Sequence, residues 1–411
     1  MVDFGSTGKI MLQIAETARQ QGMQMQTFST RQQSLHYRKL PAAPQGHTYY
    51  GSFLGNNLHY ILSRITGKYG CYSRFSTRKL IRQLKAFGPD LIHLHNLHSA
   101  FLNLPMLFRY IKKNHIPVVW TLHDCWPFTG KCTYFDIAAC SRWKTGCHTC
   151  PQLHSYPQSM LDSSRTMWHS KQKWYTDLEN LILVTPSQWL ADLAKQSFLQ
   201  NAQIRVINNG IDLSVFKPTQ SDFREKYNCR DKFILLGVAF GWGKRKGLDV
   251  FLELAKCLDD SFQIVLVGTD ARIDETLPEN ILSIHRTRNQ QELAQIYSAA
   301  DLFVNPTREE NYPTVNMEAL ACGTPVLTFR TGGSPEILDE TCGSTVDCDD
   351  LQELIHQIQR IKTTAPYPSS ACLERSKNFA MHQRFYEYLE LYKNIQKNKQ
   401  LFATARNPKV R

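Results

Sequence analysis

Long apolar runs are missing from this chain. No stretch approaches the ~18 uncharged apolar residues of a membrane span, and no apolar segment heads the sequence as a secretory leader would. Both absences lead us to expect a protein made and kept in the cytosol. Glycine and proline are sparse, 21 and 18 of 411 residues, which excludes a fibrous or low-complexity chain. Acidic residues are missing where they would matter most. None occurs between Glu16 and Asp90, a stretch that carries eleven Lys and Arg. Residues 1–209 hold 23 Lys/Arg against 9 Asp/Glu, a net of +14; residues 210–390 hold 19 against 27, a net of −8; residues 391–411 add six cations and no acid. So lopsided a field predicts an anionic partner for the first half: nucleic acid, a phospholipid surface or a phosphorylated substrate. Twelve cysteines in a cytosolic chain do not form a disulfide framework.

At ~100–200 residues per domain, the length makes two or three domains. Short β-rich runs alternate with helical periodicity along most of it. Leu91–His95, Pro117–Leu122 and Leu181–Thr185 read as buried strands. Phe233–Val238, Phe262–Gly268, Asp301–Val304 and Pro325–Thr328 repeat the theme, with helices between them. Strands separated by helices mean parallel sheets covered on both faces. The two blocks meet in the turn-rich Asn208-Asn209-Gly210-Ile211-Asp212. The expectation is two doubly wound α/β domains.

The N-terminus departs from that pattern. Phe4-Gly5-Ser6-Thr7-Gly8-Lys9 precedes an amphipathic helix with Ile10, Met11, Ile14, Ala15 and Ala18 on one face. A glycine loop opening a helix normally follows a strand, and only three residues come before it. Either the first strand is absent or the start codon is misplaced. A nucleotide P-loop is rejected, because Ile10 stands where Ser or Thr should bind magnesium.

Three motifs carry chemistry. In the string Pro306 to Pro325, Pro313 suits the first turn of a helix, and the amides of Thr314 and Val315 then point out of its end. With the helix dipole they make an anion site fit for a pyrophosphate. Glu310 precedes that end and Glu318 lies about a turn and a half inside, placed to accept hydrogen bonds from vicinal hydroxyls. The second motif is Gly241-Trp242-Gly243-Lys244-Arg245-Lys246-Gly247, beyond a strand's carboxyl end, where ligands bind in doubly wound sheets. Its cations would neutralise a diphosphate and Trp242 would cover a ring. The third is Trp120-Thr121-Leu122-His123-Asp124, whose histidine can hold a substrate hydroxyl or move a proton.

Together with Gly332-Gly333-Ser334-Pro335-Glu336, Asn209-Gly210-Ile211-Asp212, Thr185-Pro186-Ser187 and His93-Leu94-His95-Asn96, these strings resemble glycosyltransferase family 4, in particular a bacterial subgroup making capsule, exopolysaccharide or O-antigen chains. The resemblance implies a GT-B fold: two Rossmann-like domains facing a cleft, here with the first strand of the N-terminal domain missing. Residues 1–208 would form the acceptor-side domain with a Cys-rich insertion at 125–150. Residues 209–380 would bind the nucleotide-sugar. Residues 381–411 would be a C-terminal helix and basic tail packing back on the N-terminal domain.

By the same resemblance, the reaction is a retaining transfer from a UDP- or GDP-sugar to a glycan or polyprenyl-diphosphate-linked acceptor. Glu310 would contact the donor sugar and Glu318 the ribose. Lys246 would bind the diphosphate, helped by Arg245 and the amides of Thr314 and Val315. His123 would reach the sugar from the other domain, and Gly5 and Gly8 would let backbone approach the cleft. No cofactor is required for the chemistry. Where relatives often carry an Arg about six residues before the Lys, Phe240 stands.

Cys132, Cys140, Cys147 and Cys150 are spaced C-x7-C-x6-C-x2-C, which suits a structural zinc less tightly than a double C-x2-C ribbon. His148 and Cys125 are alternative ligands, and Asp124, Trp126 and Trp143 would help shape the acceptor side. The basic first domain, with Tyr49, Tyr50, Phe53 and Tyr60 interleaved, would face the inner leaflet as a peripheral surface. The rival classes are a non-catalytic scaffold of the same fold and a zinc-containing nucleic-acid binder. The second lacks a reading motif and would set an acidic half against a phosphate backbone.

Overall fold

The computed structural model describes residues 6–30, 44–98 and 100–406. Gly5 and the cations Arg31, Arg38 and Lys39 lie outside them. The chain divides into two compact units, residues 1–207 with 385–411, and residues 208–384.

The first unit opens with α1 (Ser6–Gln20), whose Ile10, Ile14, Ala15 and Ala18 are buried. Gly8 sits inside its first turn, not in a loop as the sequence suggested. Strands β1 (Thr27–Thr30) and β2 (His47–Tyr50) pair in parallel as a sheet of their own. Helices α2 (Phe53–Thr66) and α3 (Arg74–Phe87) follow. A second parallel sheet contains β3 (Ile92–Leu94), β4 (Val118–Thr121), β5 (Leu181–Thr185) and β6 (Gln203–Val206), in that order, with α4 (Leu104–Lys113), α5 (Ser164–Tyr175) and α6 (Gln188–Lys195) as connections. α1 begins at the first described residue, so the expectation about a first strand falls outside the described residues.

The second unit holds a six-stranded parallel sheet. After α7 (Phe223–Lys226) come β7 (Phe233–Val238), α8 (Leu248–Cys257), β8 (Phe262–Val267), α9 (Ala271–Asp274), β9 (Ile281–Ile284) and α10 (Gln290–Ala299). Then follow β10 (Leu302–Asn305), α11 (Thr314–Ala321), β11 (Val326–Phe329), β12 (Gly343–Val346), α12 (Leu351–Thr364) and α13 (Ser369–Ser376). The strand order is β12-β11-β10-β7-β8-β9. Alternate residues of one strand enter opposite cores. Ile234, Leu236, Val265 and Phe303 join one apolar cluster with Met317 and Tyr297; Leu235, Leu266, Val304 and Leu327 join the other with Phe251 and Ile358. Both faces are therefore covered, which is why these strands read as continuous apolar runs.

That order places the site. β7 is first in the sheet's sequence yet lies between β10 and β8. The chain runs from β7 toward β8 and β9 but from β10 toward β11 and β12, so the carboxyl ends of β7 and β10 form the switch point at which ligands bind in doubly wound sheets. The last helix, α14 (Met381–Arg406), begins in the second unit and runs with the first from Phe385 onward. Its Phe385, Tyr388, Leu389 and Tyr392 are buried, one face of a helix at spacings of three and four.

Candidate functional site

The loops after β7 and β10 are stitched together at this switch point. Lys244–Lys246 form a single 3-10 turn. The carbonyl of Arg245 accepts the Arg308 amide at 2.9 Å, and the Arg245 guanidinium donates to the Glu309 carbonyl at 3.2 Å. Gly247, at φ +75°, closes the turn where a Cβ would run into the carbonyl of Pro306. The seam makes one rigid ledge of two loops about 60 residues apart.

Arg308 locks that ledge, and nothing in the motif reading singled it out. Only 8% exposed, its guanidinium donates to both carboxylate oxygens of Asp249 at 2.8 and 2.9 Å. It also donates to Asp349 at 2.7 Å and to the Lys244 carbonyl. Burial pushes the Asp249 carboxyl up, but Arg308 outweighs it and holds the group below its ordinary range.

On the ledge, Lys246 Nζ lies 2.5 Å from Glu310 Oε2, with both side chains largely covered. The Asn311 amide donates to Glu310 Oε1 at 3.1 Å. Burial works to raise the Glu310 pKa, and the charge and hydrogen bond of Lys246 bring it net below the usual carboxylate range. Gly332, at φ +55°, packs against the Glu310 backbone, where a Cβ would strike its carbonyl oxygen. The Gly333 amide donates to the Asn311 carbonyl at 2.8 Å. This explains the first glycine of the Gly-Gly-Ser string.

Helix α11 begins at Thr314, with Pro313 in the cap position just outside it. The amides of Thr314 and Val315 are then the first two of the helix, which have no acceptor within it. Thr314, Val315 and Glu318 are its half-buried residues, and Asn316, Met317, Ala319, Leu320 and Ala321 are buried. Glu318 Oε2 accepts from Tyr297 Oη at 3.2 Å. The second unit thus gathers Arg245, Lys246, Glu310, Thr314, Val315 and Glu318 around one helix N-terminus. Trp242 is half-buried: its indole N–H donates to the Val267 carbonyl at 3.0 Å, and it meets Phe251 in a T-shaped contact. Phe240 is 92% exposed.

In the first unit His123 follows β4, and His95, which follows β3, holds it: Nδ1 of His95 is 3.0 Å from Nε2 of His123 with the rings stacked. His93 bridges Thr121 at 2.8 Å and Tyr392 at 2.6 Å. Burial holds His123 down at about 4 and His93 at about 3, so these imidazoles are neutral at pH 7. His123 is therefore a hydrogen-bonding group rather than a cation. Asp124 is buried and binds His98 at 3.1 Å.

The loop after His123 rests on a lysine that sequence reasoning missed. Lys171, fully buried, donates to the carbonyls of Trp126 (2.7 Å) and Thr129 (3.0 Å), and its Nζ lies 3.2 Å from the Trp126 ring centre. Trp126 and Trp143 are core residues at 1% and 2% exposure. Any part they take in shaping the acceptor side is from beneath the surface, by supporting the loop. Cys132, Cys140, Cys147 and Cys150 line one cavity of about 20 Å³ together with His148. The Gly130 amide donates to Cys147 Sγ at 3.2 Å. Burial raises the Cys132 thiol to about 12 and the Cys147 thiol to about 11. Among the described residues no group of three or more His, Cys, Asp or Glu side chains is arranged to hold a metal ion. The zinc expected here has a common cavity but no ready ligand set.

Comparison with known proteins bears on both units. The family model described as Glycosyltransferase Family 4 matches residues 7–215, and that described as Glycosyl transferases group 1 matches residues 231–363. WcaC of Escherichia coli strain K12, a glycosyl transferase assigned to colanic acid biosynthesis, is 28% identical over 321 residues, 75% of this chain and 77% of its own. Sucrose-phosphate synthase from Thermosynechococcus elongatus shares the fold with a TM-score of 0.70 at 19% identity, over 97% of this chain and 94% of its own. Anabaena Alr3699/HepE, crystallised with UDP, superposes with a TM-score of 0.58 at 16% identity, over 77% and 82% of the two chains.

Proposed function

Because the chain belongs to glycosyltransferase family 4, we propose that it moves a sugar from a nucleoside diphosphate donor to a glycan or lipid-linked glycan in the building of a bacterial surface polysaccharide. One observation carries this reading: the Lys246–Glu310 pair set beside the open N-terminus of α11, with Glu318 one turn in. A cation, two outward amides and two carboxylates match the parts of a nucleotide-sugar in order: diphosphate flanked by two polyols. A relative is assigned to colanic acid biosynthesis and a structural neighbour holds UDP, which supports both the acceptor class and the donor class.

The geometry suggests how binding prepares the donor. Glu310 neutralises Lys246. A diphosphate competes for the ammonium with more charge, and so releases Glu310 Oε2 to accept from a sugar hydroxyl while Oε1 stays on the Asn311 amide. Arg245 and the amides of Thr314 and Val315 add positive potential where charge grows on the departing diphosphate. In a retaining transfer on one face, the bond from the anomeric carbon to the diphosphate oxygen breaks as the acceptor oxygen attacks. The acceptor's proton passes to that diphosphate oxygen. No protein nucleophile is required. In the first unit, neutral His123, fixed by His95, serves a substrate hydroxyl.

A thermal-shift panel of UDP, GDP, ADP and CMP on wild type and Glu318→Ala tests the reading. Stabilisation by one nucleoside diphosphate, lost in the variant, is the expected result. No stabilisation by any of the four refutes the donor assignment.

A further inference from the structure

The amino ends of β4, β5 and β6 border a cavity of about 860 Å³ that lies wholly within the first unit. The turns after α4 and α5, the loop between α6 and β6, and Ile395 of α14 wall it. Buried Leu181, Phe198 and Leu199 supply apolar lining, and the exposed residues Asn180, Asn201 and Gln203 supply carboxamides. A mostly apolar hollow of ~300–1,000 Å³ with a few convergent polar groups is the usual make-up of a small-molecule site. Its place sets it apart from the residues described above. His95 and His123 follow the carboxyl ends of β3 and β4, whereas this cavity lies at the other end of the sheet. From Pro117 on its wall to His123 the chain runs six residues, about 20 Å when extended.

His115 lines the same cavity, and stability does not explain it. Helix α4 ends in a Schellman turn: the Ile116 amide donates to the Ile111 carbonyl and the His115 amide to the Lys112 carbonyl, both at 3.2 Å. His115 therefore takes φ +49°, a position that glycine fills without strain. Its imidazole lies 3.2 Å from the carboxylate of Glu179, another lining residue. Both side chains are about two-thirds exposed, and so open a pair contributes little to folding. A strained histidine held toward a carboxylate beside a cavity fits recognition better than architecture.

Charge selects the ligand. No lysine or arginine lines the cavity, although residues 1–209 carry a net charge of +14. An anionic ligand would find nothing there to neutralise it. A carboxamide offers donors and an acceptor together, which matches hydroxyl groups that both donate and accept. The apolar lining suits the C–H face of a sugar ring. We propose that this cavity is a second, non-catalytic carbohydrate site that holds a segment of neutral glycan. The proposal rests on the donor reading only for the source of that glycan, the chain on which the enzyme acts. A glycan tethered at one end of the sheet is kept at high effective concentration near the other.

Hydrogen exchange of the full chain, with and without neutral tetraoses, tests it. Maltotetraose, cellotetraose or mannotetraose at about 10 mM should slow exchange at least about threefold in peptides from 113–118, 176–183 and 198–205. Asn180→Ala/Gln203→Ala should raise the midpoint concentration for that protection about tenfold. Both residues are exposed, so the variant should fold and keep its nucleotide-induced thermal shift. That shift reads the second unit and the protection reads the first, so either reading can fail alone. Four results would each overturn the proposal: no protection by any of the three tetraoses, protection only elsewhere in the chain, protection undiminished in the variant, or a dimer in sedimentation equilibrium that Gln203→Ala dissolves.

Discussion

Arg308 is the most informative side chain to change. Its guanidinium spans Asp249 and Asp349 and reaches the Lys244 carbonyl, so one group joins the loop after β10, the first turn of α8 and the loop after β12. Arg308→Lys keeps the charge but offers a compact ammonium, which holds one carboxylate at a time and cannot make the two-pronged contact with Asp249. Charge-assisted hydrogen bonds contribute about 1.5–3 kcal/mol each. The two carboxylates are about half exposed, so they rehydrate when released, and the net loss falls to about 2 kcal/mol. That is about a 30-fold drop in protection of the β7 and β10 amides, read by hydrogen exchange on peptides from 231–363. Because Lys244–Lys246 hang on the same seam, nucleoside diphosphate affinity should weaken about tenfold, measured by calorimetry. Coupling supplies a second check. Asp249→Asn should cost stability in the wild-type background and almost nothing beside Arg308→Leu, since the partner is already gone. Arg308→Lys with protection and affinity unchanged would refute the argument that this cation sets the ledge.

Lys246→Met should cost about 100-fold in diphosphate affinity. It should also raise the pKa of Glu310, whose burial is then opposed by the Asn311 amide and Arg245 alone, seen as a new titration in difference infrared spectra of the carboxyl band. Gly332→Ala combines a left-handed φ with a clash on the Glu310 carbonyl. We expect folding to survive in the first unit while the nucleotide-induced thermal shift disappears. His95→Ala should lower kcat with KM nearly unchanged, with partial rescue by His95→Asn; equal loss in both variants would deny His95 its part in holding His123. Acid should loosen the first unit through His59, which is 1% exposed and held by burial at about 4. Its folded pKa lies below the unfolded value of about 6.5, so its contribution is whole above pH 6.5 and is lost as pH falls through 4. The loss is at most about 3 kcal/mol. Six of the seven tryptophans lie in this unit, so urea unfolding followed by their emission reads it, and His59→Gln should remove its share of the pH dependence, leaving that of the buried His93, His95 and His123.

What sequence made legible follows from how each element is buried. β4, β5, β7, β8, β10 and β11 are interior strands of parallel sheets, covered on both faces, and their short runs rich in Val, Leu, Ile and Phe announce them. β12, Gly-Ser-Thr-Val at a sheet edge, and β1, Thr-Phe-Ser-Thr in the two-stranded sheet, lack such runs and went unseen. α2 also escaped the reading, because periodicity is used to find a face turned to the core and its apolar stripe is turned outward. At the site, the residue types and the helix N-terminus at Thr314 were readable because they are local in sequence. The pairings were not. Glu310 and Lys246 are 64 residues apart, and Arg308 is 59 from Asp249 and 41 from Asp349. They meet only because β7 and β10 become neighbours in the sheet. The motifs suggested two independent tasks, a cation for phosphate and a carboxylate for sugar. Their ion pair joins the two, and on the function proposed above whichever anion holds Lys246 would decide whether Glu310 can reach a sugar hydroxyl.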